Sequence, residues 1–132
     1  MRVIFLDMIN KAIDLVEKEG IFNNFKYIFV DEYQDISYKN FQFIKTLKQA
    51  CNAHLVVVGD DWQSIYGFRD SDITLFNDFC DYFPNANRVF IEKTYRNPQE
   101  LIDIAGNFIM KNESQFKKSL KSDKSIEKPV KI

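Results

Sequence analysis

The sequence of 132 residues and 15.6 kDa has room for one ordinary domain and little more. A hydrophobic fraction of 45%, with 15% aromatic residues, is enough for a packed core and excludes a disordered chain. The 18 basic and 19 acidic residues nearly cancel, but residues 111–131 hold seven lysines against three acids. Such a basic segment either contacts phosphate or is a solvated end of the chain.

The sequence also predicts a reduced, cytoplasmic protein. No apolar run approaches the roughly 18–20 residues that cross a bilayer, and Met1–Asp7 does not have the form of a signal peptide. Cys51 and Cys80 stand among apolar neighbours, which indicates reduced core thiols. Together with His54 they are too few soft ligands for a structural zinc site.

Helix-period and strand-like segments alternate along the first half of the chain. A first helix should end at Gly20, and its inward face would carry Leu6, Ile9, Ile13 and Val16. Tyr27–Val30 is a short, uninterrupted apolar run, which is typical of a strand buried on both faces. Ser37 is placed to cap a second helix, whose inward positions are Phe41, Ile44, Leu47 and Cys51.

The alternation continues with a second buried-strand pattern, Leu55–Val58. Ser71 or Asp72 would cap the third helix, whose inward positions are Ile73, Phe76, Cys80 and Phe83. Arg88–Ile91 then has the pattern of a third strand.

A fourth helix should begin at Asn97 and Pro98. Asn97 would cap it, Pro98 would be its first residue, and Glu100 would complete a variant of the capping box. Its inward stripe would be Leu101, Ala105, Phe108 and Ile109. Strands and helices in regular alternation predict an α/β fold: a parallel sheet with helices on both faces.

Polar residues follow each predicted strand: Asp31-Glu32, Gly59-Asp60-Asp61 and Thr94-Tyr95-Arg96. Because ligands bind outside the carboxyl ends of parallel strands, these groups should meet at one end of the sheet. Adjacent carboxylates suit a magnesium–phosphate site, in which Asp31 would reach the hydrated metal and Glu32 would deprotonate a water. The alternative is a pair of capping or solvated loop acids.

Other residues near these strand ends suit a nucleotide and unstacked bases. Gln63 and Arg96 are of the types that contact a γ-phosphate, and Tyr95 offers a ring face to a base. The loop Trp62–Arg69 is either a platform for single-stranded bases or folded on its own hydrophobic cluster. No G-x-x-x-x-G-K-[ST] phosphate loop occurs in this sequence.

Three motifs resemble those of the UvrD/Rep-type superfamily 1 DNA helicases. Val30–Asp35 is similar to their Walker B motif, D-E-[FY]-Q-D, and Thr94–Asn97 resembles their fourth motif. Val58–Arg69 resembles the third motif, and its Asp-Asp-Trp variant is most similar to the helicase IV branch. The resemblance implies a partial RecA-like P-loop NTPase domain whose phosphate loop lies outside this chain.

For ATP, the resemblance implies that Asp31 holds Mg²⁺ and that Glu32 activates the attacking water. Tyr95 would stack on the adenine, and Arg96 would reach the γ-phosphate. Gln63 would link the γ-phosphate to the DNA-binding loop. Two further motif residues, Asp35 and Asp60, would orient neighbouring groups by hydrogen bonds.

For DNA, the resemblance implies that single-stranded DNA is contacted by Tyr66, Phe68 and Arg69. Two residues depart from the family pattern: Gly67 replaces a larger, often basic residue, and Asp70 replaces a glycine. Asp70 puts a negative charge beside the expected DNA track.

At the level of the whole protein, the resemblance implies a motor that hydrolyses ATP, moves 3′-to-5′ on single-stranded DNA and separates duplex DNA. Residues 1–112 would be the C-terminal part of the first RecA-like motor domain, and 113–132 a basic linker or the start of the next domain. The remainder of the helicase chain would be missing, and the isolated chain is expected to be inactive.

Two alternatives remain at this point. A metal-dependent nuclease would gather the carboxylates of Asp31, Glu32, Asp60 and Asp61 into a two-metal site. A non-catalytic remnant would only bind DNA or protein partners.

Overall fold

A computed structural model describes residues 5–19, 24–65, 67 and 70–130. The chain divides into two compact units, Met1–Pro84 and Asn85–Ile132. Within the described ranges, no helix is long and apolar enough to cross a membrane.

The first unit holds two parallel strands and the helices around them. The strands are β1 (Tyr27–Val30) and β2 (His54–Val57), and Tyr27 lies opposite His54. The helices are α1 (Phe5–Glu19), α2 (Tyr38–Cys51), α3 (Thr74–Asn77) and α4 (Phe79–Tyr82). Two 3₁₀ turns, Tyr33–Asp35 and Asp61–Gln63, follow the strands. The parallel pairing across α2 confirms the α/β prediction and both strand positions to within one residue.

The ends of α2 follow from its sequence. Ser37 caps the helix as predicted, because its side-chain oxygen accepts a hydrogen bond from the Asn40 N–H at 3.3 Å. Asn52 ends the helix in the left-handed conformation, with φ 50°, a position that asparagine tolerates better than most residues. In α1, Val16 is buried as predicted, whereas Gly20 lies outside the described residues.

The core of the first unit forms where α2 and the first 3₁₀ turn meet α3. Its buried members are Tyr33, Ile36, Phe41, Ile44 and Leu75. The Tyr33 ring meets Phe79 edge to face at 5.5 Å between centroids. Burial raises the pKa of Tyr33 to about 12, with a smaller contribution from the Tyr82 phenol. The first 3₁₀ turn is therefore fixed in a dry environment directly behind the end of β1.

The prediction of strands buried on both faces is wrong for this part of the chain. Val30, Leu55 and Val57 pack on the core, but the alternate side chains point away from it, and Phe29 is 73% exposed. The described helices therefore cover one face of the sheet only. An apolar run shows that a strand carries apolar side chains on both faces. It does not show whether this stretch of chain also contains the helices that cover both faces.

The predicted third helix is two short helices. Neither Ser71 nor Asp72 occupies the cap position of the first of them, which is Ile73. The Asp72 carboxylate still accepts from the Thr74 N–H at 3.0 Å, one residue before that position. The break comes at Asp78, whose backbone is not helical. Leu75 is 1% exposed and is the main core residue of this region, whereas the predicted inward positions Ile73, Phe76, Cys80 and Phe83 are half-buried.

Cys51 and Cys80 form no disulfide within the described residues. Cys51 ends α2 and Cys80 lies in α4. Each is half-buried, so neither occupies the core position that its apolar neighbours suggested.

The second unit contains one helix, α5 (Gln99–Ile109), within its described residues. The predicted strand Arg88–Ile91 is wrong: the segment forms no strand, and Val89 and Ile91 are 84% and 80% exposed. An isolated parallel bridge joins Lys93 to Lys121. A strand needs a neighbouring strand for its backbone hydrogen bonds, and the described part of this unit contains no strand.

The start of α5 also differs from the prediction. Pro98 occupies the cap position without a side-chain cap, so Asn97 does not cap the helix. Glu100 does not form a capping box, because its carboxylate accepts hydrogen bonds from the Ser125 hydroxyl and the Ile126 N–H instead. The predicted inward stripe is only half right: Leu101 and Ile109 are half-buried, whereas Ala105 and Phe108 are exposed.

Candidate functional site

The end of β1 presents two acids in a constrained turn. Asp31 and Glu32 follow the strand directly and are exposed. The Glu32 N–H donates to Asp31 Oδ1 at 2.9 Å. Glu32 has φ 50° and ψ 41°, the left-handed region that non-glycine residues rarely occupy. Strained backbone of this kind clusters at functional sites.

The end of β2 presents a polar loop organised by Asp60. Its Oδ1 accepts from the Trp62 N–H at 3.2 Å, and its Oδ2 accepts from Gln63 Nε2 at 2.8 Å. These contacts confirm that Asp60 orients its neighbours. Gln63 is exposed, so the hydrogen bond to Asp60 holds its amide at the protein surface.

Gln34 joins the two strand ends. Its side chain is 2% exposed, and its Nε2 donates to Glu32 Oε2 at 2.8 Å. Its Oε1 accepts from the Asp60 N–H at 3.0 Å. The parallel register brings the ends of the strands side by side, with the Tyr33 N–H donating to the Val58 carbonyl at 2.9 Å. The predicted meeting of polar groups is therefore confirmed for the first two strands.

Sequence reasoning missed Gln34 as a member of the site. Its signal was present: a primary amide lies among carboxylates directly after a buried strand, and an amide both donates and accepts. Aspartates and glutamates can bind a metal ion or act as a general base, whereas Gln34 only connects such residues by hydrogen bonds.

Because Gly59 has no side chain, the Gln34 amide can lie directly against its backbone. A β-carbon built on Gly59 would lie 2.6 Å from Gln34 Oε1 and 2.8 Å from Phe76 Cε2. Both distances are shorter than any normal contact, so a side chain at this position would displace the bridging amide or the core ring behind it.

The remaining acids do not gather around a common point. Asp61 is fully buried in the second 3₁₀ turn, whereas Asp31 and Glu32 are exposed. In the ranges that the structure describes, no group of three or more His, Cys, Asp or Glu side chains could hold a metal ion. The four-carboxylate cluster that a two-metal nuclease requires is therefore not formed there.

Tyr95 and Arg96 belong to the second unit. The Thr94 N–H donates to the Lys121 carbonyl at 2.9 Å, which anchors the segment. The Tyr95 ring is 70% exposed, and Lys93 Nζ lies 5.4 Å from its centroid. Arg96 is exposed, and in the described part of the chain its side chain forms no ion pair.

The residues expected to contact DNA, Tyr66, Phe68 and Arg69, lie outside the described residues. Of their neighbours, Gly67 and Asp70 are exposed, and Asp70 has a left-handed backbone with φ 62°. The DNA-contacting role of this loop stays a prediction.

Comparison with known proteins identifies the family. Residues 3–84 match the UvrD/REP helicase N-terminal domain. Over 119 residues, the chain is 37% identical to DNA helicase IV of Escherichia coli (strain K12), and the aligned region covers 89% of this chain and 17% of that protein. Over 118 residues it is 39% identical to ATP-dependent DNA helicase PcrA of Staphylococcus aureus (strain Mu50), and the aligned region covers 86% of this chain and 16% of that protein. The chain thus spans about a sixth of the length of these relatives, and it belongs to the UvrD/REP helicase family.

Proposed function

We propose that this chain is part of the first RecA-like motor domain of an ATP-dependent DNA helicase. The observation that carries the proposal is the meeting of two strand ends, where exposed Asp31 and Glu32 are connected by hydrogen bonds to Gln63. Family membership supports it, because the relatives are named as DNA helicases. The whole protein would couple ATP hydrolysis to 3′-to-5′ movement on single-stranded DNA and to separation of duplex DNA.

Glu32 would act as the general base on the attacking water. Its carboxylate is exposed, and one oxygen is held by Gln34, so the group is accessible and oriented at once. General-base action contributes about 10²–10⁴ in rate. Gln63 would contact the γ-phosphate from the neighbouring strand end, where Asp60 holds its amide.

Asp31 would hold Mg²⁺. Its Oδ1 accepts from the Glu32 N–H, which leaves Oδ2 for a hydrated cation. Mg²⁺ bound with ATP commonly keeps several waters and uses one or two carboxylates together with phosphate oxygens, so a single exposed aspartate fits this ion. When bound, the ion would neutralise charge on the phosphates.

Two further contacts with ATP are proposed from the family resemblance alone. Tyr95 would stack on the adenine, for which its largely exposed ring is suited. Arg96 would reach the γ-phosphate, and its exposed guanidinium has no ion pair to give up among the described residues.

Single-stranded DNA would be bound by Tyr66, Phe68 and Arg69. Aromatic rings with an arginine form stacking platforms for unpaired bases. The exposed Asp70 beside them would weaken the contact with DNA phosphates.

The chain would be a piece of a cytoplasmic protein close to the helicase IV branch. Residues 1–112 would belong to the first motor domain, and residues 113–132 would be a basic linker or the start of the next domain. The isolated chain would be inactive, because its sequence has no G-x-x-x-x-G-K-[ST] loop to supply phosphate-binding amides and a lysine.

The test is steady-state ATP hydrolysis by the full-length polypeptide that contains this chain, with Mg²⁺ and with or without a single-stranded oligonucleotide. We expect hydrolysis stimulated by the oligonucleotide. The substitution Glu32→Gln should lower kcat by about 10²–10⁴-fold, because the general base is lost. The matched control is Glu17→Gln, an exposed acid on α1, which should leave kcat unchanged.

The two alternatives correspond to other outcomes of this experiment. DNA cleavage with Mg²⁺ and no ATP would indicate the nuclease, which the burial of Asp61 does not favour. DNA binding without any ATP hydrolysis, and indifference to Glu32→Gln, would indicate the non-catalytic remnant.

A further inference from the structure

We propose that Gln34 is a positioning residue for ATP hydrolysis, which holds the Glu32 carboxylate and connects it to the loop that carries Gln63. The inference rests on the proposed function, since it assigns Glu32 as the general base. Gln34 itself would touch neither ATP nor water. It would act by fixing the groups that do.

The contact with Glu32 compensates an unfavourable backbone. Glu32 occupies the left-handed region, so its turn persists only where surrounding contacts hold it. Gln34 Nε2 donates to Glu32 Oε2 at 2.8 Å from a buried position, and the Asp31 carboxylate accepts from the Glu32 N–H. A hydrogen bond from a buried donor to a carboxylate is among the stronger kinds, so it restricts the carboxylate more than a contact in water would.

The contact with Asp60 extends the arrangement to the second strand end. Gln34 Oε1 accepts from the Asp60 N–H at 3.0 Å, and Asp60 Oδ2 accepts from Gln63 Nε2 at 2.8 Å. One chain of hydrogen bonds therefore runs from Glu32 through Gln34 and Asp60 to Gln63. Gln63 begins the loop expected to contact DNA, so a shift of that loop would reach the general base through Gln34.

A glutamine is the residue that this position requires. Asp60 presents an N–H and Glu32 presents a carboxylate, so the bridging group must accept on one side and donate on the other. A glutamate would place oxygen against the Glu32 carboxylate, and a methionine would offer neither bond. Gly59 leaves no room for a bulkier bridge, since its hydrogen faces Gln34 Oε1 directly.

The experiment measures ATP hydrolysis by the full-length polypeptide with Gln34→Met, which keeps the length of the side chain. The substitution removes the hydrogen bonds to Glu32 and Asp60 and a longer one, at 3.4 Å, from Gln34 Nε2 to Asp35 Oδ2. We expect kcat to fall by about 10–100-fold, as is typical when a group that orients a reacting residue is removed. KM for ATP should change by less than about twofold, because Gln34 does not touch the nucleotide. Stimulation by a single-stranded oligonucleotide should be lost.

Two controls separate positioning from general damage. Gln49→Met replaces an exposed glutamine on α2 and should leave kcat and stimulation unchanged. Gln34→Met is also made in the Glu32→Gln background. If Gln34 acts through Glu32, the residual activity of that background should fall no further, whereas a merely structural role would lower it by the same factor as in the wild type.

A second variant covers the case in which Gln34→Met does not fold. Gln34→Glu keeps an acceptor for the Asp60 N–H and loses the donor to Glu32, and we expect the same loss of kcat. If both variants unfold, or if the losses add in the Glu32→Gln background, Gln34 is a structural residue and the inference is wrong. If the wild type itself hydrolyses no ATP, the proposed function fails instead.

Discussion

Two glutamine amides tie distant parts of the chain together, one in each unit. Gln34 joins the ends of β1 and β2, and Gln99 joins the start of α5 to the segment that follows the helix. The Gln99 Oε1 accepts from the Ser122 N–H at 2.8 Å, and its Nε2 donates to the Leu120 carbonyl at 3.1 Å. Gln34 is 2% exposed, whereas Gln99 is half-buried. Water can replace the partners of Gln99 at little cost, but the buried amide of Gln34 would be left unsatisfied without its partners.

The first unit also has more buried side chains than the second, among the described residues. In the first unit, Tyr33 and Leu75 are almost completely buried among aromatic rings. In the second unit, Gly106 is the one buried residue among those described. The same kinds of hydrogen bond therefore work in two settings: behind the proposed ATP site they are backed by a core, and around α5 they are not.

The largest difference between the units should appear when apolar side chains are truncated. Leu75→Ala removes a fully buried side chain and should lower the free energy of unfolding by about 2–5 kcal/mol. Phe108→Ala removes a ring that is 74% exposed on α5 and should change it by less than about 0.5 kcal/mol. Urea unfolding of the chain, followed by circular dichroism, measures both. Equal losses for the two variants would show that the units do not differ in the way described.

A smaller effect, confined to the first unit, is expected at the bridging amide. Gly59→Ala would place a methyl group 2.6 Å from Gln34 Oε1 and 3.1 Å from the Gln34 backbone nitrogen. We expect a loss of about 1–3 kcal/mol, as for other insertions into a filled site. The matched control is Gly67→Ala, whose β-carbon would meet no atom of the described residues within 4 Å. If both variants melt at the same temperature, the space behind Gln34 is not tightly filled.

The parts that could be predicted from the sequence are those fixed by local chemistry. Tyr27–Val30 forms its strand, and Ser37 caps α2, because short apolar runs and cap residues act within a few positions. The meeting of Glu32 and Gln63 was also predictable, since parallel strands bring their carboxyl ends together.

The parts that failed depend on groups distant in sequence. Residues 88–91 have a strand pattern, but a strand requires a partner that the described second unit does not supply. Glu100 has the spacing of a capping box, but Ser125 and Ile126 compete for its carboxylate from 25 and 26 residues away. Gln34 was missed because its role appears only when Asp60 is brought beside it.

The smallest expected effect concerns Glu100, whose contacts hold residues 125 and 126 near α5. The Ser125 hydroxyl, and then the backbone N–H groups of Glu100 and Ile126, hold the pKa of this carboxyl below its usual range. Since the folded pKa is the lower one, these contacts stabilise the unit above the ordinary pKa of glutamate and are lost as pH falls through the lowered value. The chemical shift of the Ile126 amide should therefore move in an acidic transition, and Glu100→Gln should abolish it.

The control for this titration is Glu113→Gln, which removes an exposed acid elsewhere in the same unit. It should leave the Ile126 transition in place. Asp123 provides a second control, because it pairs with Lys93 at 2.7 Å in the same region. If the transition survives Glu100→Gln but disappears in Asp123→Asn, the exposed ion pair would hold this segment. The second unit would then depend on salt concentration, because exposed ion pairs are screened, in contrast to the hydrogen bonds of the buried Gln34 amide.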